Sequence, residues 1–365
     1  MDTQSLNTST LISHKVGIDK RDVGTPDDWI PRHPEMIRLT GKHPFNAEAP
    51  LSLLMEQGFI TPNPLHYVRN HGPVPKLQWD THRLTINGLP YKEFPVTLCC
   101  AGNRRKEQNM IKQTKGFNWG AAATSCAIWK GVPLSHLLKL AGVDEKTDKP
   151  RYVCFAGCDK LPNGYYGTSI PLEWAMNDAN DVILAYGMNG ERLPPDHGYP
   201  LRAIIPGCIG GRMVKWLESI TVSDKESDSY YHYFDNRVLP PEYDMDRANK
   251  EKIWYNPDYI INKLNINSAI TSPAHNERIS LSSFVSTKEY TIKGYAYTGG
   301  GHKLTRVEIS LDHGKTWQLT KLTQPELEHP EVLKRGVNPI PRYWCWSFWS
   351  ISIPLYSFIR CEEIS

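Results

Sequence analysis

Residues Pro95–Met110 read PVTLCCAGNRRKEQNM. An apolar, β-prone run ends in Ala101-Gly102-Asn103, a turn-forming triplet, and two arginines and a lysine follow at once. A strand that enters such a turn can deliver Cys100 to the mouth of a cleft. Neighbouring cations favour a thiolate over a thiol, which suits a metal ligand or a nucleophile. The same letters also fit a buried cysteine beside a basic surface turn. The residues alone leave both readings open.

Working outward, residues 1–30 are polar and are expected to be a flexible leader. Residues 31–75 are proline-rich, with HPFNAEAP and TPNPLHYVRNHGPVP, which favours extended and turn conformations over long helices. Leu51–Gln57, after Pro50, is the exception and predicts a short helix. Strands are expected at Leu84–Leu89, Val96–Cys100, Tyr152–Phe155, Leu201–Ile205 and Ser219–Val222. Helical spacing appears at Leu134–Ala141, with Gly142 as the stop, and at Pro171–Asn177. This order predicts a mixed α+β domain over residues 31–260 rather than a βαβ repeat. No GxGxxG follows a strand, so a Rossmann-type nucleotide site is not indicated.

Residues 261–365 have a different texture. Ser268–Thr271, Tyr290–Tyr297, Thr305–Leu311, Thr316–Leu319 and Tyr343–Ile353 are β-rich and separated by turn signals at 297–301 and 312–314. The spacing predicts an immunoglobulin-like sandwich with five or six strands where about seven are usual. The second domain is therefore expected to be incomplete. In that case Tyr343–Trp349 would lie on an exposed, aggregation-prone sheet edge.

A chain of 365 residues, 40% hydrophobic and 22% charged, has the composition of a globular protein with a core that needs no disulfide support. Its net charge of +3 argues against a nucleic-acid or membrane surface, so attraction for anions must be local. No apolar stretch reaches the roughly 18 residues of a membrane span, and no signal-peptide core is visible, which makes the cytosol the default. The eight cysteines form no CxxC pair and are expected to be mostly reduced core residues.

The run CAGNRRKEQNM…KGFNWGAAATS closely resembles the cofactor segment of eukaryotic assimilatory nitrate reductases of fungal type, within the sulfite oxidase family. The resemblance extends through WIPRHPEMIRLTGKHPFNAEAP, LHYVRNHGPVP, DHGYPLRAIIPGCIGGRMVKWLESI, YHYFDNRVLPPEYD, YNPDYIINKLNINSAITSP and YWCWSFWS, and so covers Asp28 to Ile353. It implies a molybdopterin-binding α+β domain followed by an immunoglobulin-like dimerisation domain, and a homodimer.

The resemblance assigns roles residue by residue. Cys100, and not Cys99, matches the thiolate that holds molybdenum alongside one molybdopterin; a soft ligand suits a metal that changes oxidation state. Phe45, Asn46, Glu48, His71, Asp159, His197, Arg202 and the turn Arg212, Met213, Val214 and Lys215 match pterin contacts. Arg69 and Arg105 match anion-pocket arginines, whose forked guanidinium groups suit a planar oxyanion. Trp119 matches a pocket wall, and Lys215 links cofactor to pocket. Sulfite oxidases carry a tyrosine where Asn236 falls, and a neutral amide can donate to a nitrate oxygen. With Met213 and CWSFWS, this favours nitrate over sulfite. The implied activity is oxygen-atom transfer from nitrate, yielding nitrite, with NADPH or NADH as ultimate donor through haem and FAD domains not found in this sequence. The competing expectation is a truncated, non-catalytic cofactor-binding product.

Overall fold

The computed structural model describes residues 16–82, 89–144, 151–278, 289–329 and 342–360, without side chains at 359 and 360. The strand expected at Leu84–Leu89 falls almost wholly outside them. The proline-rich segment forms only short elements: β1 (Ile37–Arg38), β2 (Asn46–Glu48), a helix at Leu51–Glu56 and β3 (Val68–Arg69). The α+β body follows with β4 (Lys92–Cys99), β5 (Thr124–Pro133), β6 (Tyr152–Gly157), β7 (Gly167–Pro171), β8 (Ile183–Met188), β9 (Glu191–Arg192), β10 (Arg202–Ile204) and β11 (Leu217–Ser223). One antiparallel sheet runs β10-β8-β5-β4 with β9 on β8, and another runs β11-β6-β7. Helices at Leu134–Leu140 and Leu172–Met176 match the expected spans, and Gly142 stops the first with φ +74°, a conformation glycine adopts without strain.

β4 reads as a continuous apolar run because both of its faces are covered. Phe94, Val96 and Leu98 enter the main core with Trp129, Phe155 and Ile183. Pro95, Thr97 and Cys99 alternate to the other face and meet the second unit: Thr97 N–H donates to the Trp344 carbonyl at 3.0 Å and Cys345 Sγ to the Pro95 carbonyl at 3.4 Å. The period of two therefore separates the neighbouring cysteines. Cys99 is fully buried toward the second unit, whereas Cys100 packs against the main core and lines a cleft.

The second unit contains β12 (Asn267–Ser272), β13 (Glu289–Tyr297), β14 (Glu308–Ile309), β15 (Gln318–Leu319), β16 (Lys321–Thr323) and β17 (Ser347–Pro354). Its sheets are β12-β13-β17-β16 and β14-β15, all antiparallel, with Ile292, Ile309, Trp349 and Ile353 packed between them. This is the sandwich expected from the turn spacing. β16 was not foreseen, and the run Thr305–Leu311 yields only a two-residue strand.

The expectation of an exposed aromatic edge is corrected. β17 lies between β13 and β16, and residues 343–346 leave the sheet to cross into the first unit. Trp344, Trp346 and Trp349 are each at most 5% exposed. Trp344 Nε1 donates to Asp181 at 2.9 Å and Trp346 Nε1 to the Phe59 carbonyl at 3.1 Å. An indole offers both apolar area and one donor, so it suits an interface where a few polar groups need partners.

Candidate active site

A cleft of about 480 Å³ opens beside the turn after β4. Its walls include Cys100, Arg69, His71, Arg105, Trp119, Asp159, His197, Arg202, Met213, Lys215 and Asn236. Eleven of the sixteen residues singled out in the sequence are thus brought together from segments far apart in the chain.

The Cys100 thiol accepts a long hydrogen bond from Gly102 N–H at 3.4 Å. Burial pushes its pKa up, while that bond and the charges of Arg69 and Arg105 pull the other way. The two arginines after the turn divide. Arg104, at φ 65°, reaches Asn267 Oδ1 at 3.0 Å and the Ser268 carbonyl in the second unit. Arg105 faces the cleft and donates to the Lys115 carbonyl; a Cβ at Gly116 would strike this guanidinium. Arg69 is braced through Nη1, which donates to Asn70 O at 2.8 Å and Asn46 Oδ1 at 3.2 Å, and it lies over the Phe117 ring.

At the other end sit cations without carboxylate partners. Arg202, only 4% exposed, donates to the carbonyls of His197 and Met213 at 2.9 and 3.2 Å, and its Nε has no hydrogen-bond partner among the described residues. Lys215 donates to Asn70 Oδ1 and to the Asp196 carbonyl. Burial and the nearby Arg202 depress Lys215 to about 7. His197, driven down to about 3 by burial with Lys215 and Arg202 beside it, is neutral and donates from Nε2 to the Asn63 carbonyl at 3.1 Å. Burying charge without a counter-ion costs several kcal/mol, so this end is built to be completed by an anion.

Five sequence candidates do not contribute side chains to the cleft wall. Arg212 is fully buried and spends its guanidinium on the Ile261 carbonyl, Thr168 Oγ1 and His232, so that side chain is not available to a phosphate. Val214 is core. Phe45 lies beneath the guanidinium groups of Arg32 and Arg38. Asn46 orients Arg69, and Glu48 accepts the N–H groups of Gly120 and Ala122 at 2.7 and 3.2 Å, shaping the turn after Trp119. These five residues belong to the scaffold of the site. Asn236 is in the wall, but its amide N–H groups point to the Tyr231 carbonyl and Tyr166 Oη at 3.1 and 3.3 Å. The expected donation to nitrate is therefore not the arrangement seen.

Sequence reading missed Asn70, Tyr166, Asp196 and Asp235. Tyr166 donates to the Gly211 carbonyl at 2.8 Å and stacks against His71, with ring centroids 4.5 Å apart. Asp196 accepts from Asn70 Nδ2 at 2.9 Å and from Arg32 Nε at 2.9 Å. For Asn70, Asp196 and Asp235 the position beside His71, His197 and Asn236 was the available signal, in YVRNHG, PDHG and FDNR; Tyr166 had no such neighbour.

The donor set fits a metal–pterin group bearing a phosphate. It offers one soft sulfur, a cationic end whose Arg202 and Lys215 form no salt bridge among the described residues, and the Gly210–Arg212 turn, where a Cβ at Gly211 would collide with Asn236. Among the described residues no group of three or more His, Cys, Asp or Glu could hold a metal ion. A metal on Cys100 would take its other ligands from the cofactor itself.

Residues 71–231 match the family described as Oxidoreductase molybdopterin binding domain, and residues 258–365 match Mo-co oxidoreductase dimerisation domain. Nitrate reductase [NADH] 2 of Nicotiana tabacum is 55% identical over 95% of this chain and 40% of its own length. Nitrate reductase [NADH] of Solanum lycopersicum is 55% identical over 95% of this chain and 39% of its own length. Nitrate reductase [NADH] 1 of Arabidopsis thaliana is 53% identical over 95% of this chain and 39% of its own. The chain thus spans about two fifths of these relatives, which are plant enzymes rather than fungal ones. The crystal structure of the sulfane dehydrogenase SoxCD from Paracoccus pantotrophus is similar in fold, with TM-score 0.59 and 24% identity over 94% of this chain and 77% of that one.

Proposed function

The chain belongs to the molybdopterin-binding oxidoreductases, and we propose that it reduces nitrate to nitrite at a molybdenum centre held through Cys100. The observation that carries this reading is a single cleft in which a cysteine thiol, two arginines and an unpaired cationic end converge. When bound, the molybdenum–pterin group supplies two-electron oxygen-atom exchange with a small oxyanion. The chain supplies everything around that step.

Arg202, Lys215 and the Gly210–Met213 turn hold the pterin's anionic end, with His197 as a neutral wall. Arg69 and Arg105 draw the oxyanion in and orient it by forked hydrogen bonds. Trp119 and Phe117, packed edge to face at 6.5 Å, keep bulk water from the sulfur side. Asn236 stands where the resemblance places a tyrosine in sulfite oxidases, and its amide donates to Tyr166 Oη and keeps that ring in place. In this reading electrons reach the centre from NADH, the donor in the names of the tobacco, tomato and Arabidopsis relatives, through haem and flavin domains. The reading further includes a homodimer formed through the second unit and residence in the cytosol. Among the described residues no helix is long and apolar enough to cross a membrane.

The test is molybdenum content by elemental analysis together with nitrite formation from nitrate, driven by a reduced dye. Metal-loaded protein should form nitrite. Sulfite-dependent reduction of an acceptor without nitrate turnover would overturn the substrate, and loaded protein inert toward both would favour the binding-only reading.

A further inference from the structure

A cleft that collects an anion must also release one, because nitrate and nitrite carry the same charge. The cleft wall holds three carboxylates, and two of them are engaged elsewhere. Asp196 is bound by Arg32 and Asn70. Asp159 accepts the Tyr166 N–H at 3.2 Å and is pushed toward its neutral form by burial.

Asp235 differs. Its Oδ2 accepts from His71 Nε2 at 2.5 Å and lies 3.8 Å from Arg69 Nη2. Burial would raise this carboxyl, but the His71 hydrogen bond and the charges of Arg69 and Arg105 outweigh it and hold its pKa below the ordinary value. His71 is pushed down to about 4 by burial and by Arg69, so at neutral pH it donates as an uncharged ring. The rings of Tyr166 and Tyr231 hold it there, with centroids 4.5 and 5.1 Å away. The pair thus presents a full negative charge. Because Nη1 of Arg69 is tied to Asn46 and Asn70, Nη2 is the arm left for an oxyanion, and Asp235 stands beside it.

We propose that Asp235 tunes anion affinity, as a resident carboxylate that shares Arg69 with the incoming oxyanion and weakens binding enough for the product to leave. The proposal rests on the nitrate reading above. An oxyanion approaching Nη2 meets attraction from the guanidinium and repulsion from the carboxylate, and both act alike on substrate and product. Removing the negative charge tightens both by about fivefold to tenfold at the intermediate dielectric of an open cleft.

The experiment uses the full, molybdenum-loaded chain and compares wild type with Asp235→Asn, Asp235→Ser and Asp235→Glu. Nitrate and nitrite affinities are read by calorimetry, and KM, kcat and nitrite inhibition by the dye-linked assay. Both neutral variants should bind the two anions more tightly, lower KM and be more strongly inhibited by nitrite, whereas Asp235→Glu should return toward wild type. Equal or weaker binding in the neutral variants, or a glutamate variant that behaves like them, would overturn the proposal. Absence of nitrate turnover in wild type would strike the reading of function, while the calorimetric comparison still decides the role of Asp235.

Discussion

The Sγ–H of Cys99 donates to the hydroxyl oxygen of Tyr297 at 3.1 Å, joining the strand before the Cys100 turn to β13 of the second unit. Asn103 Nδ2 donates to the same oxygen at 3.2 Å and to Tyr295 Oη at 3.1 Å, and Tyr295 donates to the Ala121 carbonyl at 2.7 Å. Both ends of the turn that presents Cys100 are thus held by tyrosines of the other unit. Burial pushes the Cys99 thiol up to about 12, so it remains a protonated donor and not a competing thiolate.

Asn103→Ala should therefore destabilise the chain by about 1–3 kcal/mol, because two buried tyrosine oxygens each lose one of their partners and the Ala123 N–H loses its acceptor. Chemical denaturation measures this. Unchanged stability would show that the tyrosines do not depend on the turn.

Cys100→Ser should abolish nitrate turnover while pterin is partly retained, since Arg202 and Lys215 remain. Pterin fluorescence after release and molybdenum analysis separate the two effects. Normal turnover would remove Cys100 from the metal.

Arg32 is buried with three carboxylates, at 2.9 Å from Asp22, 3.2 Å from Asp27 and 2.9 Å from Asp196. Arg32→Met should cost about 3–5 kcal/mol, because it strands buried negative charge. It should also weaken anion binding, since Asp196 fixes Asn70 and, through its carbonyl, Lys215. A midpoint of denaturation equal to wild type would refute the first effect, and unaltered sulfate affinity the second.

Lys215 makes the cleft sensitive to pH. Its folded-state pKa of about 7 lies below the ordinary 10.5, so between those values the unfolded chain binds a proton that the fold does not. Stability from this group therefore rises with pH across that window. Anion affinity runs the opposite way: sulfate, whose charge is constant there, should bind about threefold to tenfold more weakly per pH unit above 7. Lys215→Arg should flatten the profile. The same slope in that variant would place the titration elsewhere.

Much of the architecture was legible because it depends on local pattern. Proline density limited residues 31–75 to short elements, Gly142 ended a helix, and turn spacing announced a β-rich second unit. Residues 343–346 were misread because their alternation fits a strand equally well. Their partners, Thr97, Asp181 and Phe59, lie far away in the chain.

The opening run PVTLCCAGNRRKEQNM by itself determined a strand, a turn and a cysteine beside cations, since these follow from backbone preference and neighbouring charge. Which cysteine faces the cleft was decided only by the tertiary structure. Strand alternation puts Cys99 and Cys100 on opposite sides, but the packing of Tyr297 and Trp344 determines which side is interface and which is open. The same holds for the arginines and for Asp235. Charge is written in the sequence, while the dielectric around it and the groups that share it arise only when distant segments meet.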